Sequence, residues 1–179
     1  MNPMSSDQTL KRLPRWIIIW LCLSTLELLD FSLFVLFRPD SMPGGGLDFL
    51  WRHYVPYLSV DLSFGDVDNP FVYGQAVMTL FEVAIAAAAV TINYRGRLEL
   101  AALLAFATSA LTGAKTALIF VVELASGLGN VGHNDATTLF LLFVLPNAVW
   151  IVLPLLTAVT TGRILISGRE GQLTTRPAS

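Results

Sequence analysis

Four long apolar runs, separated by polar connections, dominate the sequence. Each run is about as long as the roughly 20 residues that a helix needs to cross the hydrocarbon core of a bilayer. Runs of this length with few charges predict transmembrane helices. We therefore predict an all-α fold, an integral membrane bundle of four transmembrane helices that encloses an intramembrane cavity. The predicted spans are residues 16–37, 70–92, 98–124 and 137–162.

The composition supports this assignment. Of the 179 residues, 54% are hydrophobic and only 13% are charged, whereas about a quarter of the residues in a soluble domain are charged. The length suits one transmembrane domain, residues 16–165, between cytoplasmic segments 1–15 and 166–179. No basic patch indicates nucleic-acid binding, and the single cysteine, Cys22, excludes an internal disulfide.

The basic residues outside the spans are unevenly distributed. Nearly all of them lie in the two terminal segments and in the turn at residues 93–97. The other two loops contain only Arg38 and Arg52, together with most of the aspartates. By the positive-inside rule, this distribution predicts that both termini face the cytoplasm.

Several ionisable residues lie inside the predicted spans. Each such group costs about 2.5–3.5 kcal/mol at the bilayer centre on insertion scales, so we expect these residues to face a cavity or to pair with one another. One lysine cannot neutralise three carboxylates. At least one acid should keep its proton and act as a general acid, with an ionised neighbour as general base. The residues concerned are Glu27, Asp30, Glu82 and Lys115.

The alternative interpretation of these charges is structural. Lys115 would form a buried salt bridge with one carboxylate, Glu82 or Asp30, and hold the bundle together. The sequence leaves both interpretations open, although ionisable residues within a membrane are more often functional than structural.

The last apolar run carries a compact polar and aromatic phrase, Pro146 to Trp150, followed by Pro154. Asn147 and Trp150 are three positions apart and therefore share one helix face, and the prolines can bend that helix. The pattern fits a helix face that turns toward the interior of the bundle and presents an amide donor and an indole there. In the alternative, Asn147 bonds a neighbouring helix and Trp150 anchors the chain at the membrane interface.

The phrase from Asn147 to Pro154 resembles the N-x-x-W-x-x-x-P signature of the EXPERA superfamily, which includes the emopamil-binding sterol isomerases. The resemblance covers most of the chain from Trp16 to Arg163. Further motifs support the resemblance. In and after the first span they are an acid (Asp30 or Glu27), the apolar run Phe34 to Phe37 and the loop segment Leu50 to Tyr54. Asp68-Asn69 then precedes the second span, and Gly132-His133 precedes the last span.

The resemblance implies an intramembrane cavity in which carboxylates protonate and deprotonate an alkene. Asn147 and Trp150 would help to stabilise a cationic intermediate, and Asp30 or Glu27 would be the first-span acid. In a eukaryotic cell it implies the endoplasmic reticulum membrane.

The chain departs from the family pattern at several positions. Leu26 or Glu27 stands where the family has a first-span histidine, and Gln75 stands near the expected second-span acid, with Glu82 two turns further on. Lys115 lies close to a position that is acidic in the isomerases. These departures favour a divergent member with another terpenoid or a polyketide-like substrate.

The expected function is that of an intramembrane isomerase or cyclase for a hydrophobic terpenoid or sterol-like substrate. The alternative is a sterol- or lipid-binding membrane protein without catalysis. We expect no cofactor and no metal, since His53 and His133 lie apart in loops. Expected partners are the bilayer and a hydrophobic small molecule, with a homodimer left open. The candidate catalytic residues are Asp30, Glu27, Glu82, Lys115, Asn147 and Trp150, and the candidate substrate-binding residues are Gln75, Thr112, Phe34 and Tyr73.

The topology can be tested with single cysteines placed at Ser5 and Ser179 in a Cys22→Ser background. Both should react with a membrane-impermeant thiol reagent only from the cytoplasmic side of sealed vesicles, because the positive-inside rule places both ends there. Labelling of either position from the opposite side would refute the predicted topology.

Overall fold

The computed structural model describes residues 12–174, and their side chains as far as residue 167. All of the secondary structure in this part of the chain is helical. The terminal residues 1–11 and 175–179, with the predicted cytoplasmic ends and both labelling positions, lie outside the described residues. The helices are α1 (Arg15–Leu36), α2 (Val55–Val60), α3 (Leu62–Gly65), α4 (Pro70–Tyr94), α5 (Leu98–Ala125), α6 (Ala136–Leu139) and α7 (Leu145–Thr174).

Four helical runs are long and apolar enough to span a membrane, which confirms the predicted all-α fold with four transmembrane helices. They are α1, α4, α5 and the continuous run Ala136–Ser167, which joins α6 and α7 through a π-helical turn at Phe140–Val144. Their bounds differ from the predicted spans mainly at the C-terminal end of the last helix. The outer surface is rich in exposed leucine, isoleucine, valine and phenylalanine, which suits contact with lipid.

Local sequence signals explain where the spanning helices begin and turn. Asn69 precedes Pro70 and accepts hydrogen bonds from the backbone N–H groups of Phe71 and Val72 at 3.0 and 3.3 Å. This side-chain cap and a proline in the first turn are typical of a helix N-terminus. The reversal between α4 and α5 requires a positive φ of 74° at Gly96, a conformation that glycine adopts without steric cost.

The spanning helices form a row. Helix α1 packs along α4, α4 along α5, and α5 along α7, so α4 and α5 are central while α1 and α7 are outer. The two outer helices meet through the rings of Trp20 and Trp150, whose centroids are 5.2 Å apart. A space therefore remains between the outer helices in front of the two central ones.

The buried side chains form two apolar clusters with a polar layer between them. One cluster packs large side chains such as Phe34, Phe64 and Phe143 near the long connection. The other packs alanines of α4 and α5 against Ile17 and Leu21, and such small residues let membrane helices approach closely. The intervening polar layer contains Ser24, Gln75, Thr79, Glu82, Thr108, Ser109, Thr112, Lys115, Thr116 and Asn147.

One buried hydrogen bond attaches the segment before α1 to the end of α4. The backbone N–H of Leu13 donates to Asn93 Oδ1 at 2.7 Å, and both residues are buried. Asn93→Ala should lower the free energy of unfolding by about 1–3 kcal/mol, because the Leu13 N–H would be left buried without an acceptor. Chemical unfolding in detergent would measure the loss.

Thr91→Ala is a suitable control, since Thr91 lies in the same final turns, is exposed, and bonds only to its own helix at Ala87. A substitution of this kind usually changes stability by less than about 0.5 kcal/mol. Equal stability of the two variants would contradict the role assigned to Asn93.

Candidate functional site

The polar layer opens into a pocket of about 180 Å³. Helices α1, α4, α5 and α7 form its walls, and residues 54–64, which we call the roof, contribute three aromatic side chains. Its lining combines polar and apolar side chains. The lining residues are Glu27, Leu28, Phe31, Tyr54, Tyr57, Phe64, Gln75, Thr112, Lys115, Thr116, Ile119, Pro146, Asn147 and Trp150.

An ion pair joins the two central helices behind this pocket. Lys115 Nζ lies 2.9 Å from Glu82 Oε1, with exposed fractions of only 8% for Lys115 and 0% for Glu82. Lys115 also donates to the Thr79 hydroxyl, and the second oxygen of Glu82 accepts from the Thr112 hydroxyl at 2.6 Å. Of the two carboxylates that the sequence offered as partners, Lys115 contacts Glu82. Lys115 lines the pocket, whereas Glu82 lies behind it.

Asn147 and Trp150 both line the pocket, as neighbours on one face of α7. The Asn147 amide donates to the Phe143 carbonyl at 2.8 Å and to the Tyr57 hydroxyl at 3.2 Å. The π-helical turn and Pro146 immediately precede Asn147, and π-helical turns are frequent at functional sites. The amide thus stabilises both an irregular stretch of its own helix and the roof.

The first-span acids Glu27 and Asp30 have different surroundings. Glu27 is exposed and lines the pocket, and the described residues form no hydrogen bond or ion pair with its carboxylate. Asp30 accepts from Trp51 Nε1 at 2.9 Å and lies 3.0 Å from His53 Nε2. Asp30 therefore ties the long connection to α1 and does not line the pocket.

No family model, curated protein or solved structure matched this chain.

The four candidate substrate-binding residues fall into two groups. Gln75 and Thr112 line the pocket. Phe34 is buried beside it and stacks on Tyr54 at 4.6 Å, outside the pocket lining. Tyr73 is 55% exposed on the outer surface of α4 and is also not a lining residue.

The roof supplies pocket residues that were not among the candidate site residues, above all Tyr54 and Tyr57. Burial raises the pKa of Tyr57, the largest effect on that group, so its hydroxyl is neutral at pH 7. Burial, followed by the nearby Glu27 and Asp30 carboxylates, raises the pKa of Tyr54. The only sequence feature that could have indicated these two tyrosines as pocket residues was the run of aromatic residues in the connection before the second span.

The glycine-rich loop after α5 holds the roof in place. Leu62 N–H donates to the Asn130 carbonyl at 3.2 Å, and the Asn134 amide donates to the Val60 carbonyl at 2.8 Å. Glu123, at the end of α5, accepts from the Asn130 side chain at 2.6 Å. Two loops that are distant in sequence thus close one end of the bundle. Within residues 12–174, no group of three or more His, Cys, Asp or Glu side chains is arranged to hold a metal ion.

The energetic role of the ion pair can be measured with a double-mutant cycle. Lys115→Met and Glu82→Leu should each lower the free energy of unfolding by up to about 3–5 kcal/mol, because the remaining group must either stay charged without its partner or change its protonation state. The loss of unfolding free energy in the double variant should be smaller than the sum of the losses in the two single variants. Chemical unfolding in detergent would measure the free energy of unfolding of the unaltered protein and of the three variants.

Glu27→Gln is a matched control for the cycle, because Glu27 is an unpaired carboxylate within a spanning helix. Its effect on stability should stay within about 0.5 kcal/mol. Additive losses in the Lys115 and Glu82 variants would show that the two side chains do not stabilise each other.

Proposed function

We propose that this protein is an intramembrane isomerase or cyclase. It acts on a hydrophobic terpenoid or sterol-like substrate by carboxylate-mediated proton transfer through a cationic intermediate. Membership of the EXPERA superfamily is part of this proposal and rests on the sequence signature alone. This chain is a multi-pass membrane protein with both termini in the cytoplasm. In a eukaryotic cell it lies in the membrane of the endoplasmic reticulum.

The observation that carries the proposal is the composition of the pocket. Glu27, Lys115, Asn147 and Trp150, four of the six candidate catalytic residues, line one space whose other walls include apolar side chains. A carboxyl group in an apolar surrounding can keep its proton and donate it to a substrate. A pocket between spanning helices would also be accessible to molecules dissolved in the bilayer.

The Glu27 carboxyl group is the one best placed to transfer the proton. It lines the pocket, and no described residue bonds it. The proton of its O–H group would transfer to one carbon of an alkene, so that the O–H bond breaks, the π electrons form a new C–H bond, and a carbocation and the Glu27 carboxylate remain. The same carboxylate would then remove a proton from a neighbouring carbon, which moves the double bond and restores the acid.

Other side chains would stabilise the intermediate. The indole face of Trp150 can attract a cation, and tryptophan is the most effective ring for this interaction. Glu82 offsets the charge of Lys115 at 2.9 Å, which reduces the repulsion between the ammonium and a carbocation. Glu82 is thus a positioning residue, which acts on the substrate only through Lys115.

The size of the pocket limits how the substrate binds. Its volume of about 180 Å³ is below the roughly 300 Å³ at which pockets for drug-sized ligands begin. A terpenoid would place only its reacting part inside. The remainder would extend through the space between α1 and α7.

The second candidate function is sterol or lipid binding without catalysis, and a specific observation favours it as well. Lys115 is already paired with Glu82, and the Asn147 amide already bonds Tyr57 and Phe143. Groups satisfied in this way can be purely structural. A binding protein needs the shape of the pocket but no carboxyl group that exchanges protons.

Proton transfer to carbon can be tested without knowing the substrate. The purified protein in lipid nanodiscs would be incubated in D₂O with hydrophobic extracts and panels of terpenoids, sterols and polyketides. An isomerase of this type incorporates solvent deuterium into its product, which mass spectrometry detects as a mass increase. Glu27→Gln should abolish incorporation, since an amide cannot deliver the proton, while the protein stays folded.

Two further variants separate catalysis from structure. Lys115→Met should reduce incorporation severely, because it removes a hydrogen-bond donor that lines the pocket and can hold the substrate. The protein should remain folded, because the freed Glu82 can neutralise itself by taking up a proton. Asn147→Ala should weaken incorporation, with a smaller effect on folding. Full activity with a large loss of stability in Lys115→Met would make the lysine a structural salt bridge. Lipids that co-purify with the protein but never acquire deuterium would favour the binding function.

A further inference from the structure

One donor in the pocket has no acceptor. Gln75 is 5% exposed, and its Nε2 atom is fully buried without a hydrogen-bond partner among the described residues. A buried amide donor without an acceptor is destabilising. Gln75 lines the pocket, so rotation of its terminal amide would present the N–H groups to an acceptor on a bound molecule.

Lys115 provides a second donor on the same wall. Its ammonium has three N–H bonds, and two are directed at Glu82 and Thr79. The third is available to the pocket that Lys115 lines. Gln75 belongs to α4 and Lys115 to α5, so the two central helices together present a wall of hydrogen-bond donors, which we call the back wall.

The charge of the back wall decides which acceptor fits it. Lys115 and Glu82 compensate each other at 2.9 Å, so the wall carries no net charge. An anionic ligand would bring a second negative charge close to the Glu82 carboxylate, where the low dielectric of the interior makes repulsion strong. A neutral oxygen with two lone pairs meets both donors without this repulsion.

We propose that the back wall binds the carbonyl oxygen of a neutral hydrophobic ligand, through Gln75 and Lys115. The ligand is a ketone or a related carbonyl compound whose hydrocarbon part packs on Phe31, Ile119 and Trp150. This inference deepens the proposed function, since it names the class of substrate for the same pocket, and it rests on the pocket being the substrate site. It requires binding only, so it can be tested apart from turnover.

The test compares two probes of the same shape, 2-decalone and decalin, with the full-length protein in nanodiscs. Equilibrium dialysis against empty nanodiscs corrects for partition into lipid. We expect the protein to bind the ketone roughly tenfold more tightly than the hydrocarbon, the effect of two net hydrogen bonds of about 1 kcal/mol or less each. Equal affinities for the two probes would overturn the proposal.

Substitutions test whether Gln75 donates a hydrogen bond to the ketone. Gln75→Met keeps the length of the side chain but removes its N–H groups, so the preference for the ketone should fall by roughly threefold, while decalin binding is unchanged. Met78→Leu is the control, because Met78 lies on the same helix, is 44% exposed and does not line the pocket. A preference that persists in Gln75→Met would exclude Gln75 as the donor and overturn the proposal.

An infrared measurement on the unaltered protein is independent of any effect of the variants on folding. The stretching band of ¹³C-labelled 2-decalone should move to lower frequency in the protein than in empty nanodiscs, since hydrogen bonds weaken the C=O bond. An unshifted band would overturn the proposal. A shifted band with no deuterium incorporation into any panel would leave the carbonyl site in place and count against the isomerase alone.

Discussion

The ion pair between Lys115 and Glu82 is the constraint on which the rest of the bundle depends. Two charges at the middle of a spanning bundle are tolerated only as a pair with their remaining bonds satisfied. Thr79 and Thr112 complete those bonds from the same two helices. The polar layer therefore fixes the register of α4 against α5, and the apolar clusters above and below it follow from that register.

Among the described side chains, no ion pair joins the outer helices to the central pair, although the Ser32 hydroxyl of α1 donates to the Ala76 carbonyl of α4 at 3.1 Å. α1 and α7 meet each other through Trp20 and Trp150. Asp30 attaches α1 to Trp51 of the long connection, and Asn147 attaches α7 to the roof. The pocket lies where this arrangement leaves space. Bonds between loops thus hold the roof over one end of the pocket, whereas α1 and α7 meet through the contact of two aromatic rings.

The spans were predictable because each apolar run exceeds the length needed to cross a bilayer, and length is a local property. Helical spacing also placed Asn147 and Trp150 on one shared face, although it left open whether that face turns toward the interior of the bundle. The partner of Lys115 was not predictable, since Glu82 and Asp30 both lie within spans and only packing decides between them. Tyr54 and Tyr57 were missed because hydrogen bonds between distant loops, which no local pattern encodes, place them over the pocket.

Packing gives the three intramembrane acids different environments, and this difference bears on the chemistry. Asp30 is held by Trp51 and His53, and Glu82 by Lys115, so neither carboxylate is free to approach a substrate. The charges of Lys115 and Glu82 cancel, and the net charge of the pocket then depends on whether Glu27 carries its proton. In the proposed reaction, Glu27 would donate that proton to a substrate, and the resulting cation and carboxylate would leave the total charge unchanged. Such a transfer would avoid placing a net charge in an apolar space, which is costly within a membrane.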